Sequence, residues 1–392
     1  MVTLDTEHPA LDAHALERIV DTIERDIEAD RYDGAHIIVA RNGRIGLDAA
    51  IGYAERASER PAAADDIYRL LSLTKTFTNV LTLQAISDGA LALSTKVIDV
   101  IPEFLGPDRF RTARKDKINV GHLLTHRAGL PATPTPVPYE RLGNLDEVIS
   151  AISQLDVVTE PGTVVNYSPT VNHALLGEMV RRVRGAASYS AVVDEYLFAP
   201  IGMKSTFIGA PKALADRLVP LRAYIPDVGW LNRHDVEVMN DVISEGSELP
   251  WVGGLATAGD VHRFAEFLRR GGVTDDGRRL VSAAVLDVAT TVQTGDSEND
   301  LYAAMARALG WDVPKANFGL GFSLSGSGLA PGFFSPFTSP RTHGNYGAGS
   351  TLYWVDPASQ TTFVCLTAGV MEESANLLRF QKLSTLAASA AI

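Results

Sequence analysis

The two ends of the chain carry β-strand patterns, and this distribution constrains the fold more than any other feature. Near the N-terminus, "GAHIIVARNGRIGLDAAIGYA" is typical of two short strands joined at Asn42-Gly43, a dipeptide that favours tight hairpin turns. Near the C-terminus, "FGLGFSLS", "STLYWVDP" and "TTFVCLTAG" are three further β-rich runs. Strands at both ends predict one sheet that is assembled from the two termini.

The region between these strands has mainly helical patterns. An amphipathic helix over residues 11–32 opens the chain, and a closing helix is predicted over 374–390. Between them, apolar residues recur at helical spacing in three segments, 75–93, 144–154 and 170–184. In the segment 253–272, Asp260 is predicted to cap a helix that ends at Gly271.

We therefore predict an α/β (α+β) fold in which an antiparallel sheet, flanked by helices, receives an inserted helical region. Residues 1–75 and 245–392 would form the discontinuous sheet domain, and residues 76–244 the mainly helical domain. The active site is expected between the two domains.

Composition excludes several classes of partner. A chain of 392 residues that is 46% hydrophobic can bury a large core, and its net charge of -12 repels nucleic acid and anionic membranes. The N-terminus lacks a basic start followed by an apolar stretch, and 18 consecutive apolar residues occur nowhere. We expect a cytoplasmic protein that binds neither nucleic acid nor membrane. The single cysteine, Cys365, excludes an internal disulfide.

Ser72 and Lys75, in "YRLLSLTKTF", form the first candidate catalytic pair. One helical turn separates them, so their side chains fall on one face. A serine hydroxyl becomes a good nucleophile when a base removes its proton, and a lysine serves as that base when its surroundings hold it neutral. The competing interpretation is a surface lysine whose amine reaches water.

Other chemistries lack their sequence signals. No G-x-S-x-G occurs, which argues against the α/β-hydrolase nucleophile turn. The pair His122 and His126 in "HLLTH" lacks the adjacent acidic base of a metalloprotease motif, and no glycine run has nucleotide-binding spacing. We therefore expect no metal and no cofactor.

Several segments resemble the serine β-lactamase-like proteins: class C β-lactamases, penicillin-binding proteins and family VIII carboxylesterases. "IYRLLSLTKTFT" is similar to their first motif, and "EPGTVVNYSPTVNHALLG" is similar to their second, with Tyr167 at the tyrosine position. "VGHLLTHRAGLP", "FAPIGMKSTFI" and "GGLATAGDVHRFAEFL" resemble the connecting segments, and "RTHGNYGAGSTLYWVDP" falls where the third motif belongs. The resemblance extends in order from about residue 16 to residue 385, and it is closest to the family VIII carboxylesterases.

The resemblance implies a role for each matching residue. Ser72 would be the acylated nucleophile, Lys75 would accept or relay its proton, and Tyr167 would be the third member, a base if Lys75 as a cation holds its phenolate form. The backbone N–H groups of Ser72 and Tyr346 would form the oxyanion hole.

Two departures from the family pattern bear on the substrate. His343-Gly344-Asn345 stands where penicillin-recognising members have Lys-Thr-Gly, so the third motif supplies no fixed cation for a substrate carboxylate; His343 would be charged only near or below its ordinary pKa. Pro169 replaces the asparagine of the second motif and offers no side-chain hydrogen bond. Both departures favour small uncharged esters.

Two loops are candidate pocket walls. The Phe-rich loop "GLAPGFFSPFTSP" carries Phe333 and Phe334, and the proline-rich loop "PATPTPVPY" ends at Tyr139; Trp251 is a further candidate. An exposed crossover without a function is the competing interpretation of both loops.

We expect a carboxylesterase that cleaves small or short-chain esters through an acyl-enzyme on Ser72. Three alternatives stay open: an acyltransferase, an amide hydrolase with β-lactamase or D-amino-acid peptidase activity, and a catalytically silent ligand sensor. The expected partner is a small-molecule ester, and the sequence does not decide the oligomeric state.

Overall fold

The computed structural model describes residues 1–106, 114–225 and 231–392. The strands are β1 (Val2–Leu4), β2 (Gly34–Arg41), β3 (Arg44–Glu55), β4 (Arg60–Pro61), β5 (Ile67–Arg69), β6 (Thr206–Ile208), β7 (Leu218–Val219), β8 (Ala223–Tyr224), β9 (Gly254–Ala256), β10 (Ser323–Leu324), β11 (His343–Gly347), β12 (Thr351–Asp356), β13 (Thr361–Ala368) and β14 (Val370–Met371).

Most of the helices lie between β5 and β10 in the chain. They are α1 (Ala13–Glu28), α2 (Lys75–Ser87), α3 (Val97–Val100), α4 (Val120–Leu124), α5 (Leu145–Ile152), α6 (Val171–Val183), α7 (Tyr189–Val193), α8 (Ala199–Ile201), α9 (Arg233–Glu237), α10 (Met239–Val242), α11 (Ala258–Arg269), α12 (Ala283–Ala289), α13 (Asp300–Leu309) and α14 (Glu373–Ser389).

The main sheet has eight strands in the order β1-β3-β2-β13-β12-β11-β10, and β4 pairs with β3 at the side. The two ends of the chain meet where β2 pairs antiparallel with β13, from Gly34 opposite Ala368 to Arg41 opposite Thr361. The predicted antiparallel sheet from both termini is therefore confirmed.

The central strands are apolar on both faces, because helices cover both. Ile37 and Val39 of β2 belong to one hydrophobic core with α1 and α14, whereas the intervening Ile38 belongs to the other core with α2 and α11. In the same way, Trp354 and Phe363 stack across β12 and β13 on the α1/α14 side, with ring centroids 5.3 Å apart. The alternation of strand side chains thus supplies two cores, one on each face of the sheet.

The Asn-Gly hairpin forms as predicted, with β2 ending at Arg41 opposite Arg44 of β3. Asn42 has φ +55° and Gly43 has φ +81°, the positive values that a two-residue turn between twisted strands requires.

The predicted cap at Asp260 is wrong. Helix α11 begins after Thr257, whose hydroxyl accepts the N–H of Asp260, so Thr257 is the N-cap. The Asp260 carboxylate instead accepts the backbone N–H of Ser205 and the hydroxyl of Thr206. Its role is to tie α11 to strand β6.

Four shorter strands form a second sheet, in the order β6-β9-β5-β7, beside the helical region that contains α2 and α6. Within the described ranges, no helix is long and apolar enough to cross a membrane.

Phe77 anchors α2, the helix that carries the candidate lysine, to the rest of the core. Its ring is fully buried and meets Phe198 and Phe264 edge-on, with centroids at 5.0 Å and 5.2 Å. Phe77→Ala is expected to lower the free energy of unfolding by about 3–5 kcal/mol, because it leaves a cavity among buried rings. Urea unfolding measures the loss, and Leu378→Ala, at an exposed position of α14, should cost less than about 0.5 kcal/mol.

Candidate active site

Ser72 lies in a short 3-10 turn, Leu71–Thr74, between β5 and α2. Leu71 has φ +45°, a left-handed value that is strained for a branched side chain. Two hydrogen bonds hold the neighbouring residue: Leu70 donates its N–H to the Gly254 carbonyl at 2.9 Å and accepts the Thr351 hydroxyl at 2.9 Å. Both sheets therefore fix the strained turn that presents Ser72.

Lys75 begins α2, and its Nζ lies 2.9 Å from Ser72 Oγ. The same amine donates a hydrogen bond to the Trp251 carbonyl oxygen at 3.1 Å, and the side chain is 1% exposed. Burial lowers the pKa of Lys75 well below its ordinary value. A neutral amine that donates to Trp251 keeps a lone pair for the proton of Ser72.

Tyr167 lies in the loop before α6, and its hydroxyl shares a hydrogen bond with the Ser72 side chain. Lys75 Nζ is 5.4 Å from the centroid of its ring. Burial raises the pKa of Tyr167 above its ordinary value, so the phenol keeps its proton. The raised pKa of Tyr167 argues against the hypothesis that Tyr167 acts as a phenolate. A neutral Lys75 would also supply no cation to stabilise a phenolate.

His126 positions Tyr167 through three contacts. Its carbonyl oxygen accepts the N–H of Asn166 at 2.9 Å, its Nδ1 accepts the N–H of Ser168 at 3.0 Å, and its ring lies 4.8 Å from the Tyr167 ring. Burial lowers the pKa of His126 to about 3, so the ring is neutral and remains an acceptor. Sequence reasoning considered His126 only as a metal ligand and missed this role, for which "HLLTH" carries no signal.

The ring of His122, the other histidine of "HLLTH", packs on Gly162. Within the part of the chain that the structure describes, no group of three or more histidine, cysteine or acidic side chains forms a metal site.

The third-motif residues lie on β11, and two of them face inward. His343 is 4% exposed and packs edge-on against Phe322, while Asn345 donates its amide to the Gly321 carbonyl at 3.2 Å. Burial lowers the pKa of His343 to about 4, so this ring is neutral near pH 7. The side chains of His343 and Asn345 are therefore engaged within the protein, and the substrate-binding role of the segment His343-Gly344-Asn345 stays a prediction. Gly344 packs against the Tyr353 carbonyl, which a Cβ would approach to 2.0 Å.

Tyr346 presents its backbone and its side chain to different surroundings. The Thr342 carbonyl accepts the N–H of Ser325 at 2.8 Å on the β10 side, so by strand alternation the N–H of Tyr346 points to the same edge, away from β12. Its phenol ring stacks on Phe333 with centroids 4.0 Å apart, and its hydroxyl donates to Glu373 Oε2 at 2.8 Å.

The four candidate pocket residues divide into two groups. Phe333 and Phe334 line a cavity of about 120 Å³ that Tyr302 also lines. Trp251 is 1% exposed, and it contributes its carbonyl rather than its ring to the site. Tyr139 lines a separate hollow of about 700 Å³, which none of the proposed catalytic residues lines, and donates its hydroxyl to Asp235 at 2.7 Å. The Trp251 ring therefore offers almost no open surface, and Tyr139 lines a hollow that is separate from the predicted catalytic residues.

A serine that follows the strained Leu71 and lies beside a buried lysine amine and a protonated tyrosine, at the edge of an antiparallel sheet, is the arrangement of the serine β-lactamase-like class. A family model described as Beta-lactamase matches residues 19–386, and the chain belongs to this family. The expected resemblance is thereby confirmed.

Curated relatives include an esterase and a penicillin-binding protein. The chain is 31% identical to Esterase EstB of Burkholderia gladioli over 216 residues, which are 52% of this chain and 54% of that protein. It is 28% identical to Penicillin-binding protein 4 of Amycolatopsis lactamdurans over 251 residues, 64% of this chain and 63% of the relative. The chain thus spans less than two thirds of the length of either relative.

A solved structure described as a family VIII carboxylesterase superposes with a TM-score of 0.77 at 21% identity, covering 99% of this chain and 100% of the other. EstCE1, described as a hydrolase with promiscuous acyltransferase activity, superposes with a TM-score of 0.74 at 20% identity, covering 94% and 98%. These similarities establish the fold.

Proposed function

We propose that this protein is a carboxylesterase that cleaves small or short-chain esters through an acyl-enzyme on Ser72. The observation that carries the proposal is the distance of 2.9 Å between Ser72 Oγ and a buried Lys75 Nζ whose pKa is held low. That contact pairs a hydroxyl nucleophile with an amine whose lowered pKa makes it easier to hold in the neutral form that acts as a base.

Acylation follows from the two protonation states. Ser72 Oγ attacks the ester carbonyl carbon while Lys75 Nζ takes its proton. As the tetrahedral intermediate collapses, the bond from carbon to the leaving oxygen breaks. Tyr167 gives its proton to that oxygen and takes a replacement from Lys75, so the alcohol leaves neutral. In deacylation, water attacks the acyl carbon, Lys75 accepts a proton of the water, and Ser72 Oγ receives a proton as the acid departs.

The developing oxyanion needs two N–H donors, and the amide of Ser72 is the first. The sequence predicts Tyr346 as the second donor; we propose Ala348 instead, which lies two residues further along the chain, just past the end of β11. A Cβ on Gly347 would lie 2.1 Å from the Leu70 carbonyl, and one on Gly349 would lie 3.2 Å from the Arg69 carbonyl. These contacts bring the segment around Ala348 against the turn of Ser72, whereas the Tyr346 side chain is directed to Glu373.

The walls of the site favour an ester over a β-lactam or a peptide. His343 is buried and neutral, so it presents no cation to a substrate carboxylate. The Asn345 amide already donates to the Gly321 carbonyl. At the second motif, Pro169 offers no side-chain donor to an amide. An ester with an uncharged acyl group needs neither a cation from the third motif nor an amide from the second, so neither departure weakens its binding.

Substrate preference tests the proposal. The kcat/KM for p-nitrophenyl butyrate is expected to exceed that for nitrocefin and for a peptide ending in D-alanyl-D-alanine by at least about 100-fold, because about 3 kcal/mol of substrate binding is absent for the anionic substrates. Steady-state rates on the three substrates measure this, with Ser72→Ala as the background. Comparable rates on nitrocefin would contradict the carboxylesterase assignment.

A further inference from the structure

A row of aromatic rings leads from Tyr167 to a carboxylate. The Tyr167 and Tyr302 rings lie 6.4 Å apart, Tyr302 meets Phe333 edge-on at 6.0 Å, and Phe333 stacks on Tyr346 at 4.0 Å. The Tyr346 hydroxyl donates to Glu373 Oε2. We call these five residues the aromatic box. Each of the five is half-buried, so each keeps part of its surface open.

Two polar atoms of the box are unused. Within the described residues, Tyr346 is the hydrogen-bond donor to Glu373, through Oε2, and Glu373 Oε1 has no partner. The Tyr302 hydroxyl likewise has no partner within those residues. A carboxylate placed only to begin helix α14 needs no such surroundings, because Glu372 already caps that helix by accepting the N–H groups of Ser374 and Ala375.

We propose that the substrate of this site carries an ammonium group, and that the aromatic box binds this group with Glu373 as its counter-charge. The inference rests on the proposed function and names its substrate class. Aromatic faces attract a cation through their quadrupoles, and a partly desolvated carboxylate adds a direct charge interaction. The box belongs to the reaction site because Tyr167 is both its first ring and a hydrogen-bond partner of Ser72.

The charge near the site is thus reversed relative to penicillin-recognising members with Lys-Thr-Gly. The third motif presents no cation here, since His343 is buried and neutral, and Glu373 adds a carboxylate beside Tyr346. An anionic substrate would be repelled by Glu373, and a cationic one would be attracted.

The selectivity for a cation should depend on pH. Burial raises the pKa of Glu373 to about 7, and the neighbouring Glu372 adds to the shift. The tyrosines that face Glu373 keep their protons, because the pKa values of Tyr167, Tyr302 and Tyr346 are raised. Protonation therefore removes the counter-charge as the pH falls through about 7, and the preference for a cation weakens in that range.

Two pairs of esters of matched shape test the inference. On the acyl side, p-nitrophenyl 4-(trimethylammonio)butyrate is compared with p-nitrophenyl 5,5-dimethylhexanoate, in which carbon replaces nitrogen. On the alcohol side, butyrylcholine is compared with 3,3-dimethylbutyl butyrate. The wild-type protein should prefer the cationic member of at least one pair by about 10-fold in kcat/KM at pH 8, and the preference should decline toward pH 6.

Variants separate the counter-charge from a structural role. In Glu373→Gln the ratio of cationic to neutral kcat/KM should fall by about 10-fold and lose its dependence on pH, whereas Glu373→Asp should keep part of both. Glu372→Gln removes the same charge one residue away and should leave the ratio within about twofold. An unchanged ratio in Glu373→Gln, or a wild-type preference for both neutral esters, contradicts the inference alone. Absence of turnover with all four esters contradicts the proposed function, and the inference with it.

Discussion

Ser72→Ala is expected to lower the rate of ester hydrolysis by at least about 10⁴-fold. The loss should be this large because Lys75 and Tyr167 would then face a methyl group, and only water could attack the substrate. Turnover of p-nitrophenyl butyrate measures the loss. Intact-mass spectrometry after treatment with a fluorophosphonate should show one adduct on the wild-type protein and none on the variant.

A matched control keeps this result interpretable. Ser87 lies at the other end of α2, where its hydroxyl donates to the Leu83 carbonyl, and Ser87→Ala should keep both the adduct and the turnover. Thermal unfolding should show that both variants are folded. An adduct that persists on folded Ser72→Ala would place the nucleophile elsewhere, and a folded wild-type protein without adduct or turnover would instead favour a ligand sensor.

The sheet could be predicted from the sequence because its signals are local. The Asn42-Gly43 turn fixes the first hairpin, and the apolar runs of β12 and β13 mark strands that are buried on both faces. The contact between Ser72 and Lys75 is also local, since residues three apart meet on one helical turn. The sequence therefore sufficed for the architecture and for the candidate pair.

The side chains of β11 could not be oriented from the sequence. Successive side chains of "HGNYG" point to opposite faces of the sheet. A register difference of one residue therefore exchanges the side chains that point inward with those that point outward. The structure turns His343 and Asn345 inward and brings Tyr346 to Glu373. Glu373 itself had no sequence signal, because its hydrogen-bond partner Tyr346 lies 27 residues away on another element.

The protonation of the catalytic pair also depends on burial, which a motif does not specify. A lysine beside a tyrosine is compatible with two arrangements, a cation with a phenolate or a neutral amine with a phenol. Burial favours the neutral arrangement for both groups, since it lowers the pKa of Lys75 and raises that of Tyr167. We therefore propose Lys75 as the base and Tyr167 as the proton donor.

Lys75→Met is expected to lower kcat/KM for p-nitrophenyl butyrate by about 10³-fold, because it removes the base and keeps the length of the side chain. In the wild-type protein kcat/KM should rise with pH as Lys75 loses its proton, and this rise should be centred below the ordinary pKa of lysine because the pKa is lowered. The variant should lose the rise. Profiles of kcat/KM against pH for both proteins measure the effect.

Lys75→Arg distinguishes a base from a cation. A guanidinium stays protonated, so it cannot take the proton of Ser72, although it would still stabilise a phenolate at Tyr167. If Lys75 is the base, the arginine variant is as inactive as the methionine variant, and primary alkylamines should restore part of the activity of Lys75→Ala. Substantial activity of Lys75→Arg would assign the base to Tyr167 instead. Amine rescue keeps this test decisive even where arginine does not fit the buried space, because the small amine replaces the base without the bulk.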